Sequence, residues 1–205
     1  MLDRSNNKES QATTSPQSAL ERLRDGNQRF MGRTPLERNW ADDIAATASG
    51  QFPFAFVLGC IDSRVPVETV FDQGIGDIFT SRVAGNIVNE DVLGSMEFAC
   101  KLAGSKAILV LGHTDCGAVK GAIRKTRLRN LTTLVKKIEP VVDEVASSMD
   151  TEDPTFVDIV SEANVVRTVE TIRQQSEALA EMENAGEIVI VGAMYDVSSG
   201  RVRIL

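Results

Sequence analysis

Four short apolar runs alternate with amphipathic segments along the chain, and this alternation restricts the fold more than any other feature of the sequence. The apolar runs lie at 54–58, 77–83, 107–111 and 187–191. They are largely continuous, which is typical of strands buried on both faces of a parallel sheet. The segments with helical periodicity lie at about 91–103, 117–124, 130–148 and 155–183. This order predicts an α/β domain with a mostly parallel central sheet of four to five strands and flanking helices.

The two ends of the chain extend this prediction. Residues 1–14 are polar, and we expect them to form a flexible segment before a single domain over residues 15–205. Helical segments at about 17–31 and 39–49 predict an N-terminal helical arm. At the other end of the chain, a turn at 198–200 is expected to lead into an edge strand.

Composition and charge exclude several classes of protein. The formal net charge of −7 argues against a surface for nucleic acid or anionic lipid, since both need a basic balance. No apolar run approaches the roughly 18 residues of a membrane span, and the polar N-terminus lacks the apolar core of a secretory signal. We therefore expect a cytoplasmic protein, in which three cysteines indicate metal binding or catalysis rather than disulfides.

Cysteine and histidine follow two of the predicted strands directly. Cys60 comes after the first apolar run, and His113 and Cys116 come after the third. Because the carboxyl ends of parallel strands meet at one edge of a sheet, these side chains are expected to lie together. Thiolate and imidazole are ligands that zinc prefers. The remaining cysteine, Cys100, lies within a helical pattern and is expected to pack in the core.

The pair Asp62 and Arg64 indicates what kind of zinc site this is. Three soft ligands leave the fourth zinc position to Asp62 or to water, and an open position is typical of catalytic zinc. At an ordinary strand end, such a pair would be a surface salt bridge that contributes little stability. Beside zinc, Arg64 would hold Asp62 ionised and turned away from the metal through paired hydrogen bonds. Release by Arg64 would let Asp62 close the fourth position.

Three motifs together resemble the β-class carbonic anhydrases. They are CIDSRVP at 60–66, GDIFTSRVAGN at 76–86 and GHTDCGAV at 112–119, within a similarity that extends over roughly 17–203. The resemblance implies the β-carbonic anhydrase fold, with residues 15–205 as one zinc-dependent catalytic domain. It implies one zinc ion per subunit, bound by Cys60, His113 and Cys116. It also implies that Asp62 and Arg64 form a catalytic dyad, which orients zinc-bound hydroxide for attack on CO2 to give bicarbonate and a proton.

The resemblance further implies four contacts with the substrate. Gln51 stands nine residues before Cys60, where plant-like members have a glutamine that hydrogen-bonds the substrate. Phe79 and Val83 stand where the family has an apolar wall for CO2. The backbone N–H of Gly117, which follows Cys116, would face a substrate oxygen.

Departures from the family pattern indicate the plant-like type with an open active site. Some members bind a regulatory bicarbonate with a tryptophan, an arginine and a tyrosine. Arg82 and Tyr195 match the last two, but Val57 occupies the tryptophan position, so we expect no such site. Phe98 stands where plant-like members have a tyrosine in the cleft, which removes one hydrogen bond to the substrate. Because His113 is the only histidine, no second histidine is present to shuttle protons.

The resemblance also implies a partner, namely a second copy of the chain in a homodimer or in a tetramer built from dimers. Two alternative functions remain open on the residues alone. A hydrolase of carbonyl sulfide or carbon disulfide would use the same ligands on the same scaffold, because these molecules are also linear and apolar. A non-catalytic zinc-stabilised or bicarbonate-binding module would need no Asp62–Arg64 pair, and the presence of that pair argues against it.

Overall fold

A five-stranded sheet forms the centre of the fold, in a computed structural model that describes residues 6–205. Its strands are β1 (Ala55–Gly59), β2 (Ile78–Arg82), β3 (Ala107–His113), β4 (Val189–Tyr195) and β5 (Val202–Ile204). The spatial order is β2-β1-β3-β4-β5, in which the first four strands run parallel and β5 runs antiparallel to β4. The predicted α/β fold with a mostly parallel sheet and a terminal edge strand is confirmed.

Helices cover both faces of this sheet. They are α1 (Lys8–Thr13), α2 (Pro16–Gly32), α3 (Trp40–Thr47), α4 (Val67–Val70), α5 (Glu90–Glu97), α6 (Gly117–Ile123), α7 (Arg129–Ala146), α8 (Phe156–Gln175) and α9 (Glu177–Asn184). Alternate residues of β1 enter different apolar clusters: Phe56 and Leu58 belong to one, and Ala55 and Val57 belong to the other. The strand is therefore buried on both sides, which explains why its apolar run is continuous.

The N-terminal segment differs from the sequence prediction. Residues 8–13, within the segment expected to be flexible, form α1, and Asn7 caps this helix by accepting a hydrogen bond from the backbone N–H of Ser10. The buried Gln11 side chain donates hydrogen bonds of 2.8 Å to the carbonyl oxygens of Pro53 and Ala103. The sequence does not reveal this contact, because it depends on one polar side chain and leaves no apolar periodicity. Residues 1–5 of the same prediction lie outside the described residues.

The long helix expected near 155–183 is two helices, because Ser176 interrupts it. The Ser176 backbone is extended, and its side-chain oxygen accepts a hydrogen bond from the Leu179 N–H, which starts α9. The same hydroxyl donates to Glu97 at 2.6 Å. Apolar periodicity continues across this cap, since both helices pack on the same cluster, and so it masks the break.

The parallel register places the carboxyl ends of β1 and β3 side by side. Gly59, the last residue of β1, pairs with Leu111 of β3. The residues after Gly59 therefore lie next to the last residues of β3, which is the edge where the sequence predicts the metal ligands. Within residues 6–205, no helix combines the length and the apolar character that a membrane crossing requires.

Candidate metal centre

Three buried side chains converge at the carboxyl edge of the sheet. Cys60 directly follows β1, His113 is the last residue of β3, and Cys116 is the residue that precedes α6. Their ligand atoms all lie within 4.8 Å of one another. The short turn between His113 and Cys116 brings the Cys116 sulfur close to the histidine ring. The structure thus brings together the three residues that the sequence singles out as zinc ligands.

The histidine ring presents one nitrogen to this cluster. His113 is completely buried, and its Nδ1 lies 2.8 Å from the carbonyl oxygen of Thr114. A carbonyl can only accept a hydrogen bond, so Nδ1 carries the proton. Among the described residues, Nε2 has no hydrogen-bond partner. A buried nitrogen without a partner is costly unless a ligand occupies the position that it faces.

The charges around the ring favour a cation at that position. Burial lowers the pKa of His113, but the Cys60 thiolate, the Thr114 carbonyl and the Asp62 carboxylate together raise that pKa by more than burial lowers it. These groups therefore stabilise positive charge beside the imidazole. A zinc ion supplies such charge, and soft sulfur and imidazole donors suit it.

The two cysteines affect each other's pKa because their sulfurs lie close together. Cys116 lowers the pKa of Cys60, and the same contact, together with burial, raises the pKa of Cys116. The Gly85 N–H also donates to the Cys60 sulfur at 3.3 Å. Zinc binding would need both sulfurs as thiolates, because the thiolate form is the ligand.

Arg64 holds the Asp62 carboxylate in a bidentate ion pair. Arg64 Nε donates to Oδ1 of Asp62 at 2.9 Å, and Nη2 donates to Oδ2 at 2.8 Å. The backbone N–H of Arg64 also donates to Oδ1 at 2.9 Å. These hydrogen bonds hold the pKa of the Asp62 carboxyl well below its usual range. Asp62 Oδ2 lies 3.9 Å from His113 Nε2, so the paired carboxylate stands next to the position that the ligands enclose.

Arg82 supports the turn that carries these groups. Its Nε donates to the Cys60 carbonyl at 2.8 Å, and its Nη2 donates to the Asp62 carbonyl at 2.5 Å. The sequence comparison singles out Arg82 only for its match to a regulatory bicarbonate site. Here its guanidinium instead holds the backbone between Cys60 and Asp62 through these two carbonyls. Val57 is fully buried in β1, and Tyr195 is buried at the end of β4.

The sequence prediction missed one contact of Arg64. Asp115, in the turn between His113 and Cys116, accepts a hydrogen bond of 3.1 Å from Arg64 Nη1 through its Oδ2. The residue stands inside the quoted GHTDCGAV motif, so its carboxylate was visible. Its partner, however, lies 51 residues earlier in the chain, and only the packing of β1 against β3 reveals the pairing.

The predicted wall residues lie at opposite ends of β2: Phe79 is its second residue, and Val83 follows its last. Phe79 and Val83 are partly buried and pack against the apolar cluster on one face of the sheet. Phe79 meets Phe98 edge to face, with ring centroids 6.2 Å apart, and the Phe98 side chain is half exposed. The Val83 N–H donates to the Gly59 carbonyl, one residue from Cys60. Gly117 begins α6, and a side chain added there would meet no atom within 4 Å.

Gln51 is not brought to the cluster within one chain. It is exposed and precedes the amino end of β1, whereas Cys60 follows the carboxyl end. The five residues of β1 separate the two ends by on the order of 16 Å. Cys100 also lies away from the cluster, as expected: it is buried in the apolar core, where burial raises its pKa to about 12.

Comparisons of the sequence with known proteins agree with this geometry. A family model described as carbonic anhydrase matches residues 55–202. The chain is 37% identical over 192 residues to carbonic anhydrase 2 of Mycobacterium tuberculosis, with 92% of this chain and 92% of that protein covered. It is 35% identical over 195 residues to a carbonic anhydrase of Mycolicibacterium smegmatis, with 93% of this chain and 94% of that protein covered.

Solved β-carbonic anhydrases share the fold. CafA of Aspergillus fumigatus has a TM-score of 0.72 and 26% identity, with 92% of this chain and 89% of that chain covered. The Coccomyxa enzyme in complex with acetazolamide has a TM-score of 0.71 and 27% identity, with 81% of each chain covered. A structure from a study of two tetrameric enzymes of Sordaria macrospora has a TM-score of 0.71 and 25% identity, with 79% of this chain and 85% of that chain covered. This chain therefore belongs to the β-class carbonic anhydrases.

Proposed function

We propose that the chain hydrates CO2 reversibly to bicarbonate and a proton, with one zinc ion per subunit on Cys60, His113 and Cys116. The observation that carries this proposal is the buried Nε2 of His113, which has no hydrogen-bond partner within residues 6–205 and lies beside two sulfurs and a carboxylate already paired with arginine. A closed structural site needs a fourth soft ligand, but here the next group is the Asp62–Arg64 pair.

Zinc on these three ligands would lower the pKa of a water molecule and so supply a nucleophile for CO2 near neutral pH. Asp62 then has the role of an acceptor. Its carboxylate stays ionised because Arg64 donates to both of its oxygens, so it can accept a hydrogen bond from the nucleophile at Oδ2 but cannot donate one. That hydrogen bond fixes the direction in which a lone pair of the nucleophile points. Orientation of this kind is the main contribution that the dyad makes to the rate.

The substrate side of the site consists of an apolar wall and one donor. Phe79 and Val83 offer carbon surface, which suits a linear molecule without a net dipole. The Gly117 N–H, at the open start of α6, would donate to an oxygen that gains negative charge as bicarbonate forms. Phe98 has no hydroxyl, so the cleft has one donor fewer than in plant-like members with tyrosine there.

We also propose that the enzyme is a homodimer, or a tetramer built from dimers, in which Gln51 serves the site of the neighbouring subunit. Large apolar side chains at Ile61, Phe98 and Leu102 are exposed in the single chain and suit an interface between copies. The Sordaria macrospora enzymes are described as tetrameric. In a dimer with two-fold symmetry, the amino end of β1 in each subunit can face the other subunit's site.

Mixing two inactive variants tests this arrangement. Dimers that contain one Gln51→Ala chain and one Asp62→Asn chain should regain activity, because one of their two sites combines an intact Gln51 with an intact Asp62. Random pairing makes half of the dimers hybrids, so the mixture should reach about a quarter of the wild-type CO2 hydration rate. The two variants are co-expressed with different affinity tags, and the isolated hybrid, with one complete site of its two, should reach about half of the wild-type rate.

Hybrids without activity would contradict the arrangement, because a Gln51 that acts within its own chain leaves neither site complete. Each variant mixed with itself is the control for reassembly. The Gln51→Ala homodimer must also show reduced hydration, or the role of Gln51 in binding substrate is wrong.

CO2 hydration should increase toward alkaline pH. Two thiolate ligands add more negative charge to the ion than imidazoles do, so the nucleophile should ionise above the value of about 7 known for three-histidine sites. Asp62 cannot cause the loss on the acid side, because its lowered pKa keeps it ionised until the pH falls well below its ordinary value. The measurement is kcat/KM between about pH 6 and 9, where such ionisations are resolved. Full activity well below neutrality would contradict this assignment.

Turnover of CO2, carbonyl sulfide and carbon disulfide by one preparation of assayed zinc content tests the proposed substrate. CO2 should be strongly preferred. Preference for either sulfur compound would replace the proposal with a hydrolase on the same scaffold. The cytoplasmic location expected from the sequence stays a prediction.

A further inference from the structure

Arg64 is held by two carboxylates, and the mechanism above uses only one of them. The second carboxylate belongs to Asp115. We propose that Asp115 is a positioning residue, which fixes the Arg64 guanidinium so that Arg64 in turn holds Asp62. The consequence for the rate of hydration rests on the proposed function, whereas the restraint on Arg64 does not.

The hydrogen bonds on Arg64 divide between the two acidic residues. Nε and one hydrogen of Nη2 bind the two oxygens of Asp62. Nη1 donates to Asp115 Oδ2 at 3.1 Å, and Nη2 also donates to the Asp115 backbone carbonyl at 3.3 Å. Four of the five guanidinium N–H groups are thereby engaged. Since the bonds to Asp62 and Asp115 come from different edges of one planar group, they restrict its rotation as well as its position.

Arg64 needs this restraint because it is exposed. Its side chain is 45% accessible. A single ion pair with this much exposure to water contributes little stability. The Asp62–Arg64 pair is moreover local, being formed by residues only two apart, and it cannot fix itself relative to β3. Asp115 links it to the turn that follows β3, between the two metal ligands of that strand end.

Asp115 is itself fixed by two further elements. Lys120 of α6 donates to its Oδ1, the oxygen that Arg64 does not use. Asp158, in the first turn of α8, accepts a hydrogen bond of 2.7 Å from the Asp115 backbone N–H. Asp115 also has a φ of 59°, a left-handed conformation that aspartate and asparagine adopt more readily than most residues. The restraint on Arg64 therefore extends to helices that contribute no metal ligand.

Loss of the Asp115 carboxylate should leave Arg64 attached to Asp62 and, by one hydrogen bond of 3.3 Å, to the Asp115 backbone carbonyl. The guanidinium then exchanges more often with water, and Asp62 spends less time in the orientation that serves the nucleophile. Asp62 Oδ2 is 3.9 Å from His113 Nε2, so a released carboxylate needs only a small rotation to reach the position between the ligands. Asp115 thus favours the arrangement in which that position stays open.

The test is Asp115→Asn in the zinc-loaded enzyme, with two separate readouts. Asparagine retains the size of the side chain and tolerates the positive φ, so the fold should be kept. The first readout is the rate at which phenylglyoxal modifies Arg64, located by peptide mass spectrometry. Arg64 should react several-fold faster in the variant. The second is stopped-flow CO2 hydration, in which kcat/KM should fall by about tenfold to a hundredfold at unchanged zinc content.

Arg127 provides a matched control. Its side chain is also 45% accessible. Arg127 lies just before α7 and pairs with Glu139 of that helix. Glu139→Gln should speed modification of Arg127 while Arg64 reactivity and hydration stay at their wild-type values. Lys120→Met should speed modification of Arg64 by less than Asp115→Asn does, because the Asp115 carboxylate is still present.

Unchanged Arg64 reactivity in Asp115→Asn would overturn the proposal, whatever the hydration rate. Faster modification with wild-type hydration would overturn the positioning role in catalysis. Faster modification of Arg64 in a protein whose wild type does not hydrate CO2 would support the restraint and refute the proposed function instead.

Discussion

Removal of the metal should reduce CO2 hydration by this enzyme to the uncatalysed rate, and added zinc should restore it. The ion would supply the nucleophile, and the three side chains that would hold it converge within 4.8 Å and are all buried. The measurement is stopped-flow hydration with a pH indicator, before chelation, after chelation and after addition of zinc. The zinc content of each sample is assayed beside the rate, so that turnover is expressed per bound ion.

Substitution of single cysteines tests which residues hold the ion. Cys116→Ala should lose both zinc and turnover, because only two of the three ligands remain. Cys100→Ala is the matched control, since Cys100 is equally buried but lies in the apolar core, where its thiol stays protonated. It should keep one zinc ion per subunit and its hydration rate. Stoichiometric zinc with full turnover in Cys116→Ala would refute the proposed site.

Arg64→Ala should lower kcat/KM by about 100-fold to 1000-fold while the zinc content stays the same. The substitution removes both charge-assisted hydrogen bonds on Asp62, at 2.9 and 2.8 Å, and so frees a carboxylate that stands 3.9 Å from His113 Nε2. The nucleophile then loses its oriented acceptor. The same stopped-flow assay measures the change, and metal analysis separates it from loss of zinc.

Two further variants distinguish positioning from charge. Arg64→Lys keeps the positive charge but cannot span both oxygens of Asp62 and also reach Asp115, so it should recover only part of the rate. The double variant Asp62→Asn with Arg64→Ala should be no slower than the slower single variant, because the two residues act as a unit. Additive losses would mean that they contribute independently.

The fold was predictable because its central strands, β1 and β3, are buried along their whole length. Such strands must be apolar throughout, and a continuous apolar run that recurs between amphipathic segments has few other solutions. The predicted run at 107–111 lies within β3, whereas the run at 187–191 locates β4 with its start two residues too early and its end four too early. The last four residues of β4, 192–195, lie beyond the predicted apolar run. They belong to the strand because they pair with β3.

Local polar contacts were not predictable. α1 forms in a polar segment because Asn7 caps it and Gln11 reaches carbonyl oxygens 42 and 92 residues away. The break between α8 and α9 depends on one serine whose hydroxyl bonds Glu97. Hydrogen bonds of this kind follow no sequence period, since a single side chain suffices and its partner is distant.

The fold class, the Cys60, His113 and Cys116 cluster and the Asp62–Arg64 pair could all be predicted from the sequence. Buried strands leave apolar runs in the sequence, and parallel strands bring the residues that follow them to a common edge. Three relations became visible only in the folded chain: Asp115 shares Arg64 with Asp62, Arg82 supports the Cys60–Asp62 turn, and Gln51 lies at the far end of β1. These relations depend on where each side chain points and on which strands lie next to each other. Neither can be read from the residues close by in the sequence.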